Sequence, residues 1–85
     1  MQDFGVQDFK ITTMEAPIGA GILFLGCDDL CMRKIQFSRR NAPVNVYKNA
    51  HAKPINCMVS SPDGLYVFTT SEDRKLKQWS VRALI

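Results

Sequence analysis

From Pro54 onward the chain alternates: Ile55, Cys57 and Val59 on one side, Asn56, Met58 and Ser60 on the other. Period two is the pattern of a half-buried strand. The run Ser60-Ser61-Pro62-Asp63-Gly64 ends it in a turn, because proline presets one backbone angle and glycine accepts a positive one. Residues 65–71 (LYVFTTS) are apolar or β-favouring on both faces and predict a strand covered on two sides. A second turn follows at Glu72-Asp73-Arg74-Lys75, then a third strand over 76–81 carrying Trp79. Arg82-Ala83-Leu84-Ile85 is too short for a clear fourth.

Sliding the chain back by 44 residues places Glu72-Asp73 on Asp28-Asp29 and Val67-Phe68 on Leu23-Phe24. The first half thus reads as a worn copy of the second, which is the signature of a repeat architecture. It predicts strands near 9–14, 22–27 and 32–37, and a short one at 44–47 opened by Pro43, where a missing amide proton is tolerated. The third of these can also be registered two residues later, ending on Phe37 or Ser38. No segment of 11 or more residues keeps an apolar stripe at helical spacing. The expectation is an all-β chain of seven short strands.

Composition narrows the picture. At 46% hydrophobic and 22% charged, the 85 residues are an ordinary globular chain. The net charge of +3 is spread without a block of like charges, a solvated surface rather than a nucleic-acid footprint. Three cysteines without a secretory signal at the start suggest reduced thiols and an intracellular, cytoplasmic setting. The longest apolar run, 16–26, is interrupted by three glycines and a proline and is about half of the ~20 residues a membrane span needs. No membrane anchor is expected.

His51, the Ser-Pro-Asp-Gly turn at 61–64, Thr69-Thr70-Ser71, Asp73, Leu76 and Trp79 together resemble the WD repeat, a unit of ~40 to 45 residues that builds one β-propeller blade. The resemblance covers about 44–81 well and 9–37 in degenerate form. It implies about two antiparallel blades of the four-stranded type, an incomplete propeller. Blade 1 would span about 9–48, and blade 2 about 54–85 without a clear last strand. It also implies a structural hydrogen-bond network of His51, Thr69, Asp73 and Trp79. In the first unit Leu25 stands for Thr69 and Ile35 for Trp79, and there is no histidine, so only Asp29 survives. Ser80 replaces the acidic residue that usually follows the tryptophan.

As in similar propellers, partners would meet the loops at one end of the blades, here Lys48, Lys53, Pro54, Glu72, Arg74 and Asp28. The expected function is protein–protein interaction or scaffolding, alone or as part of a larger propeller, with no cofactor, metal or small-molecule substrate. The alternative is a basic nucleic-acid- or ribonucleoprotein-associated module using Arg33, Lys34, Arg39 and Arg40. Its bland counterpart is a solvated edge that discourages strand addition.

Catalysis finds little footing. His51 is the one histidine, and no nucleophile elbow, phosphate loop or metalloprotease motif supplies it with partners. The acidic pairs recur at the repeat offset, as turn residues do. Cys27, Cys31, His51 and Cys57 are ligand types that zinc accepts, yet Cys27 and Cys57 fall where small buried strand residues are expected. Tyr66, Phe68 and Trp79 are expected between stacked sheets.

Overall fold

The computed structural model describes residues 7–38 and 44–84. Four strands, β1 (Ile11–Glu15), β2 (Leu23–Cys27), β3 (Met32–Ile35) and β4 (Asn45–Tyr47), form one antiparallel sheet in the order β1-β2-β3-β4. Three more, β5 (Ile55–Ser60), β6 (Tyr66–Ser71) and β7 (Leu76–Ser80), form a second in the order β5-β6-β7. A short 3-10 turn, Arg82–Leu84, follows β7. The two sheets stack but do not close into a ring.

The repeat is written into the pairing. Ile11 opposes Cys27 and Leu23 opposes Ile35; moved 44 residues along, these are Ile55 opposite Ser71 and Val67 opposite Trp79. The third strand of the first unit therefore takes the 44-residue register, and the alternative that ends on Phe37 or Ser38 is excluded. Even the irregularities coincide. Leu30 and Arg74 both hold left-handed backbone in equivalent turns, with φ of 70° and 67°.

Equivalent bulges interrupt β1 at Thr12 and β5 at Asn56. An extra residue flips the side-chain alternation, which corrects the period-two assignment. Ile55 and Met58 share the buried face, while Cys57 and Val59 point outward. Cys57 is accordingly exposed, not a buried strand thiol.

The core lies in the seam between the sheets. Phe24 and Met32 of the first meet Ile55, Met58 and Val67 of the second, with Ile22, Ala50 and Val81 closing the ends and Trp79 and Leu84 packed against them. Gly26 of β2 sits where Thr13 of β1 and Ile55 of β5 leave no room for a side chain. A Cβ there would lie 2.7 Å from Thr13 Cγ2 and 2.9 Å from Ile55 Cγ2. Thr12 bridges the same place, its hydroxyl donating to Gly26 O at 3.0 Å and to Ile55 O.

The far face of β6 has nothing packed on it. Tyr66 is 37% exposed and Phe68 half-buried, so the strand is covered on one side rather than two. Trp79 is in the seam as expected. The equivalent stretch of the first unit, 22–25, is covered: Ile22 and Phe24 face the second sheet, and Leu25 is buried between Met14 and Arg33.

Basic residues depart most from expectation. Lys34 is buried, not on a solvated edge, and its ammonium donates to Leu84 O at 2.5 Å beside the Tyr47 hydroxyl, which donates to the same oxygen at 2.8 Å. Arg82–Leu84 thus form a turn that returns onto the first sheet. Arg39, Arg40 and Pro43 lie outside the described residues.

Two measurements follow. A thiol reagent should titrate one fast cysteine, Cys57, with Cys27 and Cys31 reacting only on unfolding. Gly26→Ala should cost about 1–3 kcal/mol in urea denaturation, because the sheets must separate to admit the methyl group.

Candidate functional site

The second unit carries a buried polar chain at one end of its sheet. Thr69 is placed by β6 and Trp79 by β7, two strands held in register. His51 comes from the loop before β5 and Asp73 from the turn between β6 and β7. Trp79 Nε1 donates to Thr69 Oγ1 at 2.9 Å, Thr69 Oγ1 lies 2.8 Å from His51 Nε2, and His51 Nδ1 lies 2.9 Å from Asp73 Oδ2.

Two groups set the polarity of the chain: an indole N–H can only donate and a carboxylate can only accept. In a neutral imidazole Asp73 holds the proton on Nδ1, so Nε2 accepts, and Thr69 accepts from Trp79 and gives its own proton to Nε2. His51 and Thr69 are almost completely buried, and no buried side-chain polar atom among the described residues lacks a partner.

Asp73 is the anchor. Its Oδ2 also accepts the Ala52 amide at 3.0 Å and its Oδ1 the Lys75 amide at 2.9 Å, while the Ser71 hydroxyl accepts the Asp73 amide and donates to Lys53 O. Burial pushes the carboxyl upward, but the amides of Lys75 and Ala52 and the His51 imidazole outweigh it and hold the group well below the usual carboxylate range. The arrangement fastens the loop 48–54 to the turn 72–75. It is a clamp, without a free nucleophile or an open base.

The first unit solves the same problem differently. Asp29 occupies the place of Asp73 and accepts the Cys31 amide at 3.3 Å. In place of histidine it receives Arg33, whose Nη1 and Nη2 reach Oδ1 and Oδ2 at 2.9 and 2.6 Å. The guanidinium lowers the Asp29 carboxyl and lies 3.6 Å over the Phe9 ring. Leu25, which replaces Thr69, is buried as a plain hydrophobe. Sequence reasoning missed Arg33 in this role, although an aspartate and arginine four apart across a turn were visible.

The remaining candidates gather at the same end. Lys48 and Lys53 are exposed and Pro54 half-buried in the loop before β5; Glu72 and Arg74 are exposed in the β6–β7 turn. Asp28 is exposed in the β2–β3 turn, where its Oδ1 accepts the Lys10 amide at 3.0 Å. The opposite end holds the other tight turn. There Asp63 accepts from the Ser61 hydroxyl and the Leu65 amide, and Gly64, at φ 73°, lies against the Ile18 carbonyl.

Cys27 and Cys31 are buried, and burial pushes the Cys27 thiol up. Among the described residues no group of three or more His, Cys, Asp or Glu side chains could hold a metal ion. No described helix is long and apolar enough to cross a membrane.

Two antiparallel sheets stacked face to face, repeating at 44 residues and each bulged on its inner strand, are propeller blades in an unclosed array. Residues 41–80 match the family described as WD domain, G-beta repeat, and the chain carries a WD repeat over that segment. No curated protein matches the chain. As a class, WD repeats are protein-interaction modules and are typically non-catalytic.

Replacing Thr69 by valine, which keeps shape and removes the hydroxyl, should cost about 1–3 kcal/mol, since it strands the indole N–H and Nε2 together. Stability should also fall in acid. A carboxyl lower when folded than its unfolded value near ~3.9 contributes above that value and loses its contribution as pH drops toward the folded one. Asp29, Asp63 and Asp73 are all lowered and act in the same direction. The contribution of these three carboxyls to the urea midpoint should therefore be level from neutral pH to about 4 and decline below it, and Asp73→Asn should flatten that decline.

Proposed function

We propose that this chain is a protein–protein interaction or scaffold module. Its two units, about 9–48 and 54–85, contribute to a larger propeller. Its partner surface is the loop end formed by Lys48, Lys53, Pro54, Glu72, Arg74 and Asp28. The observation that carries this reading is the contrast at that end between a fastened backbone and unengaged side chains. The loop 48–54 and turn 72–75 are held by Asp73 and Ser71, while the side chains of Lys48, Lys53, Glu72 and Arg74 make no hydrogen bond or ion pair with another described residue. Groups displayed on a rigid frame lose little conformational freedom on binding. Three cations and two anions suit a polypeptide of mixed charge.

A catalytic role finds no support, because the one histidine is enclosed in the clamp. The nucleic-acid reading is weakened by Arg33 and Lys34, whose cationic groups are taken up by Asp29 and by the Leu84 carbonyl. Reduced thiols favour an intracellular setting.

A photo-crosslinker placed at position 53 or 72 should capture a polypeptide, and one placed at Pro62, on the opposite end, should not. Lys53→Ala and Glu72→Ala should each weaken the captured partner by roughly 3- to 10-fold, or about 0.6–1.4 kcal/mol, with thermal stability unchanged. Capture of RNA, with affinity falling steeply as salt rises, would instead support the basic module.

A further inference from the structure

The far face of the second sheet is the repeat equivalent of a face that is covered in the first. Phe24 and Met32 are fully buried beneath the second sheet; 44 residues along, Phe68 is half-buried and Leu76 is 69% exposed, alongside Val59 and Tyr66. The seam within this chain therefore shows, on an equivalent surface, what kind of object fits: another antiparallel sheet stacked through its inner strand.

One position makes the two surfaces unequal. In the existing seam Gly26 faces Ile55, and even a bare Cβ at Gly26 would come 2.9 Å from Ile55 Cγ2 and 3.0 Å from its Cβ. The equivalent of Gly26 on the open face is Thr70, which already has a Cβ and whose hydroxyl donates to Asn56 Oδ1 at 2.9 Å. Asn56 in turn occupies the bulge position that Thr12 holds in the first sheet. A sheet carrying isoleucine opposite Thr70 would collide with it.

We infer that the open face of the second sheet seats a further antiparallel sheet of the same type whose inner strand carries glycine, alanine or serine opposite Thr70. The inference rests on the reading of the chain as part of a larger propeller. It adds a size rule: the pair Gly26 with Ile55, small against large, is reversed at the next seam. Asn56, with its carbonyl oxygen engaged by Thr70, keeps its amide protons for a main-chain carbonyl of the incoming strand, where Thr12 uses its hydroxyl on Ile55 O.

Cys57, exposed on this face, reports whether the face is covered. The test extends the full chain after Leu84 by a copy of residues 41–84, in which Cys57→Ser removes the second exposed thiol. Three versions are compared with the unextended chain: the copy otherwise unchanged, the copy with Ile55→Ala, and the unchanged copy behind a host carrying Thr70→Gly. Modification of Cys57 should slow by about tenfold or more in the second and third versions, equivalent to at least about 1.4 kcal/mol of protection, and by less than about threefold in the first. Thermal midpoints should rise in the same order. Equal protection in all three versions would overturn the size rule and leave the larger-propeller reading standing. No protection and no rise in midpoint in any version, with circular dichroism showing the added strands formed, would overturn both.

Discussion

The structure of the second unit depends on one hydroxyl. Thr69 lies between a group that can only donate, the Trp79 indole, and a ring nitrogen that accepts because Asp73, a carboxylate, holds the imidazole proton on Nδ1. Its hydroxyl joins the two ends by accepting from one and donating to the other. Everything else at that end follows from where Asp73 is held: the path of the loop into β5, the tight turn into β7, and the display of Lys53 and Glu72. Because the chain is buried, each member is worth most when all are present.

The first unit shows which part of this device is indispensable. Threonine, histidine and tryptophan are all absent, yet the turn aspartate persists and again has a strong donor, now a guanidinium. In the second unit the aspartate side chain is buried and requires a hydrogen-bonding partner, which histidine from a neighbouring loop supplies. In the first unit Asp29 is exposed, and arginine from the following strand meets it as a surface ion pair. Only the histidine also ties two segments distant in the chain, which is why the loop before β5 is fixed to the β6–β7 turn.

The second governing constraint is the approach of the two inner strands. Equivalent bulges at Thr12 and Asn56 turn the residues beyond them to the opposite face, so Ile55 and Met58 can both enter the seam. Gly26 sets how near the sheets come. The fold is therefore asymmetric along its stacking direction: one seam is filled, and an equivalent surface carrying Tyr66, Phe68 and Leu76 is not.

Much of this was legible from residue order. The seven strands, their turns, the 44-residue repeat and the four members of the polar chain all rest on local chemistry: alternation, proline and glycine in turns, and side chains with defined donor and acceptor roles. The outcome for Cys57, Lys34 and Arg33 was not legible. Alternation assigns faces only while pairing is regular, and a bulge is a property of two strands, so Cys57 was placed on the wrong side. Lys34 and Arg33 read as surface charges because a cation reads as solvated until a partner is seen. The Leu84 carbonyl lies 50 residues from Lys34, and the Phe9 ring meets Arg33 only once β1 has paired with β2. Local pattern settles which segments become strands and which side chains can hydrogen-bond. Which face is covered, and which charge is neutralised, depends on contacts between distant segments that form only when the sheets stack.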